Sequence, residues 1–243
     1  MAGAAAERQE TGFVKSINDA VKKNQNNPIS VKAGTVVIDK VIGARKFSGR
    51  QMGGSEPYTD VELLIEGRKE PHRLSLKGEA APSLAGGGLR GLELAVPGIA
   101  SKFMKAAHKH LTQTLKLKRG VKIPDVYGLI NEQSKIKIVV GNKAMGGPID
   151  FMYIGPMDVQ SAYNPKNNLV VLNGNLTKSI AYAKGHQLYF RLRARREDQR
   201  FDPEAKDNAG VPKIYGKSPS SGDSAGRIVI TDAPPSNAVI VRF

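Results

Sequence analysis

The chain has 243 residues and carries 37 lysines and arginines against 22 aspartates and glutamates, a formal net charge of +15. It contains no cysteine, which excludes disulfides and thiolate metal centres, and no run of about 18 apolar residues, which argues against a membrane-spanning helix. The basic residues are not gathered on one amphipathic helix, so an interfacial anchor is disfavoured as well. A charge excess this large favours a polyanionic partner, and DNA or another nucleic acid is the expected one. The first residues, Met1 to Glu7, lack the basic and apolar segments of a secretory signal, so the expected location is cytoplasmic, with a virion interior equally open.

Along the chain, Phe13, Ile17, Ala20 and Val21 recur at helical spacing and predict an amphipathic helix over 7–24, stopped by Asn24-Gln25-Asn26-Asn27-Pro28. The β-branched residues of 34–47 predict a strand. Strands at 58–66 and 71–77 flank Gly67-Arg68-Lys69-Glu70 as a hairpin. A glycine run, Ala85 to Gly91, leads to a helix over about 97–117, opened by Pro97 and closed before Arg119-Gly120. Further strands are expected at 135–141, 149–159, 168–173, 186–196, 226–231 and 237–243. The stretch 202–224, dense in Asp, Pro, Gly, Ser and Lys, suits a mobile loop. The expected organisation is a single α/β domain over 1–243, with a catalytic core at about 7–160 and a β-rich, nucleic-acid-contacting part at about 161–243.

The hairpin is the most informative segment. Alternation places Asp60 and Glu62 on one face of the first strand, and Arg73, Ser75 and Lys77 on one face of the second. A turn centred between Arg68 and Lys69 pairs Asp60 with Lys77 and Glu62 with Ser75. Two carboxylates, a hydroxyl and an ammonium then meet on one patch. Close carboxylates call for a cation, and hard oxygen ligands suit Mg²⁺, with Asp60 and Glu62 as its ligands. A metal there would activate water against a phosphodiester, and Lys77 would orient that water and stabilise charge growing on the phosphate. The plainer alternative is an exposed hairpin whose cross-strand ion pairs are each worth less than about 1 kcal/mol.

The order of a helix with an acid, a strand, a strand with Asp, a short turn and a strand ending in x-x-Lys resembles the PD-(D/E)xK nuclease superfamily. The resemblance covers about residues 7–120. It implies a restriction-endonuclease-like mixed sheet flanked by helices, here with additional strands in the C-terminal half. It also implies a Mg²⁺-dependent DNA endonuclease, a phosphodiesterase of the restriction–modification type, with a homodimer as one assembly open to it. Asp60 matches the metal-binding Asp, Lys77 the catalytic Lys and Glu10 the helix acid. Thr59 stands in the place of the usual Pro, and Ser75 in the place of the second acid. In the predicted register Glu62 lies opposite Ser75 and supplies the missing charge, with Glu79 in reserve. Ser75 also keeps open a different class: a non-enzymatic nucleic-acid-binding or viral structural or packaging protein on a degenerate nuclease fold.

Three other segments bear on binding. Backbone amides around Ser83 and Arg90, on either side of the glycine run, could cradle a phosphate, or the glycines could simply permit a tight loop. In 187–196, Leu188, Phe190, Leu192 and Ala194 point inward. Tyr189, Arg191, Arg193 and Arg195 form an outward row repeating about every 6.6–7 Å, suited to successive phosphates. The long helix and its exit carry Lys102, Lys105, Lys109, Lys116, Lys118, Arg119 and Lys122, read as a solvated surface with some backbone contacts. Pro124-Asp125 and Pro148-Ile149-Asp150 are weaker places to anchor the nuclease motif than Asp60, since neither leads into acid-x-Lys at suitable spacing.

Overall fold

The computed structural model describes residues 2–49, 57–79, 88–194, 197–216 and 227–243. Helix α1 (Ala2–Lys23) precedes strands β1 (Ile29–Ala33), β2 (Val36–Lys46), β3 (Val61–Ile65) and β4 (His72–Gly78). Helices α2 (Gly88–Ala95) and α3 (Ile99–Lys109) follow, then β5 (Val126–Leu129) and α4 (Glu132–Val140). The remaining elements are β6 (Phe151–Gly155), β7 (Ser161–Asn164), β8 (Leu169–Leu172), β9 (Asn175–Lys178) and α5 (Ser179–Gly185). The last three strands are β10 (Tyr189–Arg193), β11 (Arg227–Thr231) and β12 (Val239–Val241). These elements form two compact units, Met1–Pro82 with Val139–Gly185 and Ser83–Ile138 with His186–Phe243. The boundary expected near residue 160 falls inside the first of them, between β6 and β7. Each unit is a mixed sheet with flanking helices, the α/β class expected.

The first unit holds an eight-stranded sheet in the order β7-β8-β1-β2-β3-β4-β6-β9. β1 runs parallel to β8 and β4 to β6, while the other neighbours are antiparallel. α1 covers one face because its apolar residues fall at helical spacing: Phe13, Ile17, Ala20 and Val21 are buried with Val61, Leu63, Leu74, Leu76 and Tyr153. The Phe13 ring meets Tyr153 edge-on at 5.2 Å. Truncating so buried an aromatic to alanine costs about 3–5 kcal/mol. Polar docking sets the helix in register: Asn18 donates to the Ala44 carbonyl at 2.9 Å and accepts from its N–H at 2.8 Å. That exchange sits just past the bulge where β2 shifts against β3.

The second unit holds a four-stranded sheet in the order β11-β10-β5-β12, with β5 and β12 parallel. Its core joins Phe103 of α3 to Phe190 and Phe243, each 5.3 Å away. Gly128 on β5 makes room for these rings, since a Cβ there would come within 2.7 Å of both Phe103 and Phe243. β10 is an interior strand, flanked by β11 and β5, with Phe190 and Leu192 buried as the alternation predicts.

Several expectations change in detail. The strand expected at 135–141 is helix α4. Ser134, Lys135, Ile138 and Val139 are its buried face, Asn131 Oδ1 caps it by accepting from Ser134 N–H at 2.9 Å, and Gly141 (φ 71°) ends it. The run Ile136-Lys137-Ile138-Val139-Val140 reads as a strand only if those two caps are overlooked. The strand expected at 34–47 is the second arm of a β1–β2 hairpin turned at Gly34 (φ 61°). The long helix stops at Lys109 and continues as a π-turn over His110–Thr114. The described part of the expected loop, 202–216, is folded: Phe201 bridges Tyr215, Lys206 bridges Pro212, and Ile214 is buried. Among the described residues no helix is long and apolar enough to cross a membrane.

Candidate functional site

The β3–β4 hairpin turns at Ile65–Arg68, closed by Arg68 N–H donating to Ile65 C=O at 3.1 Å, with Gly67 at φ 75°. Glycine takes that left-handed conformation without cost, and the strand pairing is centred one residue earlier than predicted. Moving the centre by one moves each cross-strand partner by two: Val61 faces Leu74 and Glu62 faces Arg73. An even shift preserves which side chains share a face, so the patch survives with altered pairs.

Asp60 now lies opposite Ser75, and its Oδ2 accepts from Ser75 Oγ at 3.0 Å and from Leu76 N–H at 2.6 Å. The Lys77 ammonium stands 3.7 Å from the same oxygen, and both side chains are 23% exposed. The expected Asp60–Lys77 proximity is therefore present, reached diagonally.

Glu62 is placed differently. Its Oε2 accepts from Arg45 Nε at 2.8 Å and its Oε1 lies 3.4 Å from Arg73 Nε, in a cross-strand row β2-β3-β4 with only 5% of the residue exposed. With an oxygen committed to each guanidinium, Glu62 does not pair with Asp60 around one ion. Arg73 is itself fixed, donating to the Gly147 carbonyl at 3.0 Å and lying 5.8 Å over the Phe47 ring. Ser75 is buried against Asp60 and does not face Glu62.

Glu10 does join Asp60 and Lys77. The three line one cavity of about 620 Å³ in the first unit, together with Gln9, Lys46 and Thr59. Glu10 comes from α1, Lys46 from the end of β2, Asp60 from the threshold of β3 and Lys77 from the end of β4. Lys46 Nζ lies 3.5 Å from Glu10 and 4.0 Å from Glu7. Burial, and after it the Asp60 carboxylate, raises the Glu10 pKa above its ordinary range, while Lys46 pulls it down.

Two residues of the cavity escape the sequence reading. Gln9 is 2% exposed and its Nε2 reaches the carbonyls of Gly155 (3.0 Å), Lys77 (3.1 Å) and Pro156 (3.3 Å). It ties α1 to the ends of β4 and β6. Its signal was present: Gln9 stands four residues before Phe13, at the head of the apolar stripe Phe13-Ile17-Val21, where a polar side chain needs a partner. Lys46 carried no signal of its own, because only the β2–β3 pairing brings it to the cavity.

The donor set admits magnesium in one form. Among the described residues no group of three His, Asp or Glu could hold a metal, but Mg²⁺ is commonly held by one or two carboxylates plus substrate phosphate oxygens. Glu10 and Asp60 bring two carboxylates to one cavity, each with a lysine beside it. The rise in Glu10 proton affinity caused by Asp60 is the response of a carboxylate to a second negative charge, which a cation relieves. Asp60 with Glu62, the pair expected from the sequence, does not fit.

The arginine row of the second unit is less free than expected. Arg191 Nε donates to Asp125 Oδ2 at 2.7 Å, and its guanidinium lies 6.0 Å over the Tyr127 ring. Arg193 is half-buried, with a buried Nε that makes no hydrogen bond among the described residues. Tyr189 is half-buried beside them. Arg195 and Ser83 lie outside the described residues, as does the side chain of Arg90, whose backbone is on α2. Of the competing anchors, Asp125 serves Arg191, while Asp150 accepts from Arg73 N–H at 2.9 Å and lies 3.5 Å from His72 Nδ1. Glu79 is exposed, and its charge is felt at Tyr153, whose pKa is raised to about 12 chiefly by burial. No protein-family model, curated protein or solved structure matches this chain.

Proposed function

We propose that this protein is a magnesium-dependent endonuclease that hydrolyses DNA phosphodiester bonds in the cavity of the first unit. One observation carries the reading: Glu10, Asp60 and Lys77, brought from three separate elements, line a single cavity. The order of helix acid, strand Asp and strand Lys supports an enzyme of the restriction type. A cytoplasmic location and a homodimer, which would set one cavity on each strand of a duplex, belong to the same proposal.

Glu10 and Asp60 would hold the metal, which supplies the positive charge that lets two carboxylates and an anionic phosphodiester share the cavity. Hydrolysis forms a P–O bond to the oxygen of a water and breaks the P–O bond to the sugar, with a proton lost from the water balanced by one gained at the departing sugar oxygen. Lys77, fixed at its backbone by Gln9 and at its ammonium by Asp60, orients that water and stabilises the charge gathering on the phosphate. Lys46, 3.5 Å from Glu10, would offer a second ammonium to the same phosphate.

A second reading is favoured by a specific observation. The carboxylates of the hairpin already have internal cations, Lys77 beside Asp60 and Arg45 with Arg73 around Glu62, and the hydroxyl of Ser75 is spent on Asp60. Such a self-neutralised site suits a protein that binds nucleic acid without cutting it.

Supercoiled plasmid incubated with Mg²⁺, against an EDTA control, separates the two. We expect nicked and linear products with Mg²⁺ alone. Asp60→Asn and Lys77→Ala should each slow their appearance by about 100-fold or more while DNA binding in EDTA persists. Intact plasmid under every divalent cation, with binding retained, would establish the second reading.

A further inference from the structure

We infer that the exposed face of α3 in the second unit, with the segment that follows it, is a docking surface for the phosphate backbone of duplex DNA. The inference shares with the proposed function only that the partner is nucleic acid.

Residues 97–124 contain Lys102, Lys105, Lys109, Lys116, Lys118, Arg119 and Lys122 and no aspartate or glutamate. That is nearly half of the net charge of +15 in one continuous stretch. All seven side chains are exposed. Arg119 is occupied, donating to Asp202 at 2.8 Å and to Glu204 at 2.7 Å. Among the described residues, none of the six lysines forms a salt bridge. Among the described residues several carboxylates elsewhere already have a cationic partner, as Glu62 and Asp125 illustrate. Six uncompensated ammoniums on one segment raise the local potential, and a polyanion lowers it.

Helix geometry turns the lysines into a row. Ile99, Ala100, Phe103, Met104 and Ala107 form the buried side of α3. Lys102, Lys105 and Lys109 stand opposite at intervals of three and four, within about 60° of arc and about 10.5 Å of axis. One strand of B-DNA rises about 3.4 Å per phosphate, so that length covers about three phosphates. The apolar side of α3 is taken by Phe190 and Phe243 through Phe103, and the exposed Leu115 and Val121 beyond it are two separate side chains, too few for the continuous apolar face of an interfacial anchor. An anionic bilayer is accordingly the disfavoured partner. The Arg191 row is also the lesser contact, because Asp125 already neutralises Arg191.

The test measures binding of the full-length chain to a labelled duplex in EDTA, so that cleavage cannot run and its failure leaves this result readable. Fluorescence anisotropy is followed between about 50 and 200 mM salt. The triple variant Lys102→Gln, Lys105→Gln, Lys109→Gln should flatten the slope of log K against log salt by about 2.7, or about 0.9 for each lost contact. Arginine at the same three positions should restore the slope. A charge-matched control in the first unit, Lys22→Gln, Lys23→Gln, Lys40→Gln, should leave it nearly unchanged. Circular dichroism confirms that each variant keeps its helix content. The proposal is overturned if the α3 triple leaves the slope unaltered, if the control flattens it equally, or if the parent chain does not bind duplex. It is also overturned if the triple abolishes binding to phosphatidylserine vesicles and spares DNA.

Discussion

Asp60 and Glu62 stand two residues apart on one strand and do different work because their neighbours differ. Asp60 receives a hydroxyl, a backbone N–H and an ammonium at the mouth of a cavity, whereas Glu62 is enclosed by two guanidiniums. Glu62→Gln should therefore lower stability by about 1–3 kcal/mol, since both arginines lose a charged acceptor and Arg73 stays half-buried. The same variant should retain cleavage, which activity normalised to folded protein would show. Glu10 makes a prediction in pH. Its pKa is raised on folding above 4.5, so its ionisation opposes folding above the raised pKa and has no such cost below 4.5. Glu10→Gln should be more stable than the parent at pH 7 by urea midpoint. The difference should shrink as pH falls through the carboxylate range, and Mg²⁺ should narrow it at pH 7 by stabilising the ionised parent. A pH-independent difference would mean that the carboxyl titrates normally. At this scale the sequence brought together Asp60, Lys77 and Glu10, whose order along the chain carried the resemblance and which line one cavity. It misled over Glu62, because a partner on β2, Arg45, is invisible in the local pattern.

At the scale of elements, the turn at Gly67 accompanies a register two residues from the expected pairing. Gly67 adopts φ 75° with open space around it, as a Cβ there would meet nothing within 4 Å. Gly67→Ala should thus cost only the backbone penalty, about 1–2 kcal/mol, and lower Tm by roughly 2–8 °C for a chain of this size. The Val61–Leu74 pairing should persist, as cross-strand nuclear Overhauser effects would show. A register that slipped back to the pairing expected from the sequence would mean that side chains, and not the turn, hold the hairpin. Apolar alternation read β3, β4 and β10 well. Their boundaries shifted by a few residues, as strand ends do where pairing stops. α4 was misread because β-branched residues outweighed the cap at Asn131 and the stop at Gly141. The short strands β5, β7 and β9, four residues each, offered too few alternations to recognise.

For the whole molecule, the basic composition pointed correctly to excess positive charge, but only pairing reveals where that charge is uncommitted. The α3 lysines are open, whereas Arg45, Arg73, Arg119 and Arg191 are all engaged by carboxylates. Nor could composition show that the chain crosses between its two units three times, near residues 82, 138 and 185. β5 finds both its partners, β10 and β12, beyond the last crossing. Removing residues 186–243 should leave every strand of the eight-stranded sheet and strip β5 of every neighbour. Amide exchange should then stay slow across 29–46 and 61–78 and become fast across 99–129. Protection persisting at 126–129 would show that the helices alone can order that segment.

The same interleaving sets a timetable for synthesis. β5 leaves the ribosome about 60 residues ahead of β10, a wait of roughly 3–12 s at about 5–20 residues per second. Over that interval Phe103 and Val126 have no sheet to enter, and the eight-stranded sheet is fully translated only near its end, once residue 178 has emerged. The nascent chain then carries a finished body and an unfinished apolar segment side by side. The lysines of α3 place like charge beside that waiting segment, and like charges repel.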